Sequence, residues 1–347
     1  MRRAVAIACL VLGSVGCSGG GQEGPRPLGT GGDQVGGSSS GGTSATGGSA
    51  SVTAGTAPIG TGGTVPVAGG ASGGSAPLGS GDTGAHVMSW VPTYRIAEAK
   101  QQLGASFEGV GMADGLSYLG LQFWLAAGPA TQLKDATDAD VAWFQDWGRQ
   151  RGVKILLCVH NHDGDWNWPL ALSSFRDNRD AFAAHLLSEV DRRGLDGVDL
   201  DLEGIVESTA EEAEAYRQLV QLLSDGLHAK GKVLTVDSFH GKWNAPNWDW
   251  WPQLLPLVDG ITSMGYEQSS MDVDYQTLID HAAVAPHKLM IGVPSYHGAW
   301  LGHSVTDQLG WLLQQGQVGT AIWDAALMAP EWRQRAVWDQ LKQIKAR

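Results

Sequence analysis

The chain divides by the texture of its apolar positions. From residue 85 onward, short runs of aliphatic and β-branched side chains recur, with amphipathic stretches between them. The runs 86–91 (HVMSWV), 118–124 (YLGLQFW), 153–159 (VKILLCV), 195–202 (LDGVDLDL), 232–237 (KVLTVD), 258–264 (VDGITSM), 288–294 (KLMIGVP) and 319–323 (GTAIW) read as strands. The spacing predicts a helix over 178–192, where Phe182, Leu186 and Val190 form an apolar stripe. A second is predicted over 209–229, with Ala213, Tyr216, Leu219, Val220 and Leu223 on one side. Alternating strands and helices, with strands this apolar, predict a parallel sheet covered by helices. Eight strands in about 240 residues predict an α/β fold of the (β/α)8 TIM-barrel type. A doubly wound open sheet is the alternative. It is disfavoured because no Gly-rich phosphate loop follows the first strand.

The first 84 residues have a different texture. Arg2 and Arg3 precede an apolar run, Ala4 to Leu12, and then small residues. This is the pattern of a secretory signal peptide over 1–16, too short to be a spanning helix. Cys17 follows the small residues, and the junction resembles the lipobox of bacterial lipoproteins. That resemblance implies a lipidated Cys17 and a membrane anchor; an ordinary secretory signal beside an incidental cysteine is the other reading. Residues 18–84 are mostly Gly, Ser, Thr and Ala without apolar periodicity. They cannot bury enough surface to offset ordering entropy, so 17–84 is expected to be a disordered tether. The folded domain is expected over 85–347. The expected location is outside the cytoplasm, lipid-anchored at the cell surface or outer membrane, or secreted.

Charge and cysteine content narrow the classes. The formal net charge of -13 argues against nucleic acid as a partner. Of the three cysteines, Cys158 alone falls in the folded part, so no disulfide forms within that domain.

The fourth predicted strand carries the candidate chemistry. In DGVDLDLEG, residues 196–204, side chains alternate, so Val198, Leu200 and Leu202 share one face. Asp199, Asp201 and Glu203 share the other. A barrel strand has no solvated face, and three unpaired carboxylates inside would cost several kcal/mol each. Active sites of such barrels sit at the C-terminal ends of the strands, which is where this run ends. Asp196 has the opposite parity and is assigned a structural role.

At this point the sequence resembles glycoside hydrolase family 18, which includes chitinases and endo-β-N-acetylglucosaminidases. The family's fourth strand reads D-G-x-D-x-D-x-E, and DGVDLDLE fits every fixed position. The sixth strand of the family carries M-x-Y-D or M-x-Y-N, here Met264-Gly265-Tyr266-Glu267. KLMIGVPSY resembles the seventh strand, and Trp323 ends the eighth, where the family places a tryptophan under the reacting sugar. There are departures. The third strand, normally ending S-x-G-G, reads Cys158-Val159-His160-Asn161. Glu267 replaces a shorter side chain, and Gly204-Ile205 replaces an aromatic-proline pair.

The resemblance implies a retaining hydrolase of β-1,4 bonds next to N-acetylglucosamine that uses the substrate's own acetamido group as nucleophile. It implies Glu203 as acid and base, Asp201 as orienter of the acetamido group, Asp199 as its proton-sharing partner, and Tyr266 as a donor to the acetamido oxygen. Trp323, Met264, Glu267, His160, Asn161 and Trp124 are the candidate sugar contacts. Other aromatics near strand ends, such as Trp166, Trp168, Trp243 and Trp248, are candidates for platforms or for packing. The segment HNHDGDWNW, 160–168, holds two histidines and two aspartates, but close spacing alone makes no metal site, and no metal or cofactor is expected. Only about 25 residues separate the seventh and eighth strands, which leaves no room for a large insertion domain. A shallow, open groove is therefore expected, on a monomer. The substrate alternatives are chitin or its oligomers, the chitobiose core of N-glycans, and peptidoglycan. A non-catalytic carbohydrate-binding barrel is the competing class.

Overall fold

The computed structural model describes residues 84–241, 243–264, 275–300 and 302–347. All eight predicted runs are strands, at Val87–Pro92, Tyr118–Ala127, Lys154–His160, Gly197–Asp201, Val233–Ser238, Gly260–Ser263, Leu289–Pro294 and Gly319–Trp323. They are called the first to eighth strands below. Each pairs in parallel with the next, and the eighth pairs with the first, which closes a (β/α)8 TIM barrel. The two predicted helices span Arg179–Arg193 and Ala210–His228.

Two features were not anticipated. The second strand runs on to Ala127 and turns at Gly128, whose φ of 64° suits a residue without a Cβ. A short antiparallel strand, Ala130–Leu133, then returns along it. Between the seventh and eighth strands, Ala299–Trp300 and His303–Ser304 form a minimal hairpin, followed by helix Val305–Leu312. No separate insertion domain lies there among the described residues. No helix among the described residues is long and apolar enough to cross a membrane.

Strand alternation sorts the core into two layers. Met88, Trp90, Tyr118, Leu156, Cys158, Val233, Met290 and Ala321 fill the barrel interior. Val198, Leu200, Leu202, Leu234, Val236 and Ile261 point outward. They share one apolar cluster with Phe182, Leu186 and Val190 of the first helix and Tyr216, Leu219 and Leu223 of the second. Burying a Val or Leu side chain is worth about 1.5–3 kcal/mol, so this outer shell supplies most of the driving force that holds helices on the sheet.

The N-terminal ends of the fourth and sixth strands share one device. Asp196 accepts a hydrogen bond from the Ile155 backbone N–H at 2.8 Å, and Asp259 accepts one from Leu234 N–H at 2.8 Å. Each aspartate is followed by a glycine: Gly197 lies against the Val233 backbone, and Gly260 against the Met290 and Thr235 side chains. At Gly197 a Cβ would lie 2.0 Å from the Val233 carbonyl oxygen, which is backbone and cannot rotate away. Gly197→Ala should therefore force the fourth and fifth strands apart and cost about 3 kcal/mol. Urea unfolding followed by circular dichroism should show a lower midpoint. An unchanged midpoint would show that the strands yield freely there.

Candidate active site

The C-terminal mouth of the barrel opens into a cavity of about 560 Å³. Glu203 lines it, with Gln122 of the second strand, His160 at the end of the third, and Tyr94, Trp166, Phe239, Met264, Tyr296 and Trp323 around the rim. Tyr94 and Tyr296 are exposed at the rim, while Trp323 is half-buried and its ring centroid lies 5.7 Å from that of Trp90. Lys134 also lines the cavity, held by Asp163 at 2.6 Å.

Below the cavity lie the acids of the fourth strand. Asp199 is fully buried; it accepts hydrogen bonds from Trp90 Nε1–H at 2.9 Å and from the Thr235 hydroxyl at 2.6 Å. Asp201 Oδ2 accepts one from the Gln122 amide at 2.6 Å. Its other oxygen, Oδ1, has no donor in reach, and its hydrogen-bonding neighbour is the Glu203 carboxyl. Two carboxyl groups can bond in this way only when one carries a proton. A fourth acid, Asp237 on the fifth strand, has the same relation to Asp199 and likewise an Oδ1 without a donor. Cys158 Sγ and oxygens of Asp201 and Asp237 all lie within 4.8 Å of one another.

Burial dominates the electrostatics. It raises the Glu203 carboxyl well above its usual range, and the Asp201 charge adds to the effect. Burial also pushes Asp201 up to about 6, with Asp199 adding repulsion and hydrogen bonds from Glu203 and Gln122 pulling the other way. Asp237 is pushed well up by burial and then by Asp199 and Asp201. Asp199 is raised by burial despite its donors. The cluster titrates as a unit, with Glu203 and Asp237 as its strongest proton holders. His160 moves in the opposite direction: burial and the His162 ring lower it to about 4. Its Nδ1 accepts the His162 backbone N–H at 3.2 Å, so the neutral ring carries its proton on Nε2.

The structure brings Asp199, Asp201, Glu203, His160, Met264 and Trp323 together. It separates two other candidates from the cavity. Asn161 was expected to touch sugar, but its side chain is fully buried and committed to the Glu203 backbone: Nδ2–H donates to Glu203 O and Oδ1 accepts from Glu203 N–H, each at 2.7 Å. Trp124 was expected on the cavity wall. A β-bulge shifts the register between Gln122 and Trp124, so Phe123 and Trp124 both face the outer shell. There Trp124 lies under the Arg193 guanidinium, 5.5 Å from ring centroid to Cζ. Tyr266, Glu267 and Cys17 lie outside the described residues. Sequence reasoning missed Trp90, Gln122, Thr235, Asp237, Tyr94 and Tyr296. The polar residues among them had a signal. Gln122 interrupts an apolar strand, and Thr235 and Asp237 share one parity on the fifth.

Comparisons with known proteins give a family and a fold. The model of the glycosyl hydrolases family 18 matches residues 100–345. A chitinase from Chromobacterium violaceum has a similar structure, with a TM-score of 0.58 at 15% identity, covering 76% of this chain and 99% of that one. The family 18 chitinase ChiB from Flavobacterium johnsoniae aligns with a TM-score of 0.56 at 14% identity, over 76% of this chain and 94% of its own. The spore cortex-lytic enzyme SleL of Bacillus megaterium aligns with a TM-score of 0.58 at 11% identity, over 75% and 73%. At these identities the likeness is one of fold. No curated protein matches the sequence.

The buried acids make stability depend on pH. Below about pH 4, near the unfolded carboxylate value, both states hold the Asp237 proton and it costs nothing. As pH rises, the unfolded chain ionises while the folded one keeps the proton, so stability falls until the raised folded value is passed. Asp237→Asn removes that loss. Its melting temperature should exceed that of the wild type by an amount that grows from pH 4 to pH 8. An offset independent of pH would show that Asp237 is not a perturbed acid.

Proposed function

The chain belongs to the glycosyl hydrolases family 18, and from that premise we propose that it hydrolyses β-1,4 bonds next to N-acetylglucosamine by substrate-assisted retention. The observation that carries this reading is Glu203: a carboxyl group that keeps its proton, on the wall of an aromatic-lined cavity, beside Asp201. A general acid must be protonated near its working pH, and an ordinary glutamate is not.

Glu203 gives its proton to the glycosidic oxygen as that bond breaks. The carbonyl oxygen of the substrate's 2-acetamido group attacks the anomeric carbon and forms an oxazolinium ion. Asp201, ionised, accepts the acetamido N–H and stabilises the positive charge that develops there. Asp199 shares a proton within the cluster and so relieves repulsion on Asp201. Glu203 then takes a proton from water, which opens the ring with retention. Tyr266 and Glu267 enter this scheme through the family motif alone. Trp323 supplies the sugar platform, and Met264 and His160 line the same cavity.

Chitin-type glycans are the favoured substrate. Among the described lining residues the one ammonium or guanidinium group is Lys134, and Asp163 already holds it. The cavity is thus suited to neutral sugars more than to the carboxylates of peptidoglycan. Residues 17–84 would tether the barrel, as a monomer, to a membrane through lipidated Cys17.

Glu203→Gln should lower kcat on N-acetylglucosamine oligomers by about 10²–10⁴-fold while binding persists. Asp201→Asn should also impair turnover. In the wild type, activity should fall as pH rises through the raised Glu203 value. If chitin oligomers, N-glycans and peptidoglycan are all left intact by the wild type, the enzymatic reading fails. For the anchor, Cys17→Ser should abolish labelling by radioactive palmitate and release the protein from the membrane fraction. Persistent labelling would exclude Cys17 as the acceptor.

A further inference from the structure

The fourth strand's ladder to the third ends at the pair His160 and Asp201, two residues before Glu203. The acid therefore projects from backbone that strand pairing no longer fixes. The described residues around that backbone close on it from three sides.

On the third-strand side, the Asn161 carboxamide meets both peptide groups of Glu203 at 2.7 Å, as donor and as acceptor. On the fifth-strand side, Gly204 and Ala245 exchange two backbone hydrogen bonds at 2.8 Å each. From the outer shell, the indole of Trp168 lies so close to Gly204 that a Cβ there would be 2.6 Å from it. These parts are joined. The Asn161 carbonyl accepts the Asn167 N–H at 3.1 Å, and Asn167 caps the helix Trp168–Phe175 through Leu170 N–H at 3.1 Å.

We propose that Asn161 is a positioning residue for Glu203: its side-chain amide extends the strand ladder one step and fixes the backbone from which the acid enters the cavity. This rests on the reading of Glu203 as the acid. It gives the segment HNHDGDWNW a purpose other than metal or sugar binding, since both of its asparagines are spent on holding backbone. A neutral amide is also the suitable group for the place. It satisfies a donor and an acceptor without adding charge to the acids, whereas an apolar side chain would leave both groups unpaired in a buried site. Of the titratable groups, Asp201 on its own strand and Asp237 on the fifth act on Glu203, and Tyr94, Lys134, Asp135, His160, His162 and Tyr296 line the same cavity.

Asn161→Ala tests the proposal by two readouts. With the clamp gone, the Glu203 backbone relaxes away from Asp201 and toward water. In wild type and variant labelled with 13C at glutamate carboxyls, and assigned through Glu203→Gln, the Glu203 signal should titrate at lower pH in Asn161→Ala. On a chitin oligomer, kcat should fall about 100-fold with KM little changed, and the basic limb of the pH profile should move to lower pH. Gly204→Ala pushes the same backbone by way of Trp168 and should lower kcat in the same manner, so it decides the matter if Asn161→Ala does not fold. Wild-type kcat and wild-type Glu203 titration in a folded variant would overturn the proposal, and so would a lower melting temperature as the sole change. If the wild type cleaves none of the glycans, the functional reading fails, while the NMR titration still decides the clamp.

Discussion

Four carboxylic acids share the interior of one barrel, and no Lys or Arg side chain among the described residues is buried with them. Each would cost several kcal/mol as an unpaired anion, so the fold persists only because these groups share protons and borrow donors. Trp90 and Thr235 donate to Asp199, and Gln122 donates to Asp201. The Cys158 thiol also bonds Asp199, while the contacts of Asp199 with Asp237 and of Asp201 with Glu203 join acceptor to acceptor and each demand a proton. The same constraint creates the chemistry. Repulsion and burial that would destabilise an ordinary core keep a proton on Glu203, the member of this cluster that lines the cavity.

The barrel makes this arrangement possible through strand parity. Outward positions of the fourth strand are Val198, Leu200 and Leu202, which anchor it to the helices, so its inward positions are released from any packing duty. Trp90, Gln122 and Thr235 occupy inward positions on three other strands, so the donors converge on the acids from around the ring. A closed sheet brings polar groups from the first, second and fifth strands to one point. An open sheet would spread them along a line.

Much of this was legible in the sequence because it follows the period of two. The eight strands and the inward Asp199, Asp201 and Glu203 are all parity arguments. The two misplaced residues lie where the period breaks. Trp124 has the inward parity of Gln122, but the bulge between them turns it to the outer shell. Asn161 follows the last paired residue of the third strand, beyond the reach of parity, and its amide finds backbone in place of sugar. Asp237 was missed for another reason: it obeys the period and shares the parity of Thr235, but that signal is weaker than the run of acids on the fourth strand.

The end of the ladder is therefore where function and fold make opposite demands. An acid that transfers a proton must reach the cavity, so it stands past the last hydrogen-bonded pair, where strands fray. It must also hold its position to a fraction of an ångström. Ladder bonds cannot extend to Glu203 without drawing it back into the sheet. The Asn161 carboxamide meets both demands, because it has the donor and acceptor of a peptide group on a side chain that the loop can direct. The third strand can thus leave the sheet at His160 and line the cavity while still holding the fourth strand in place.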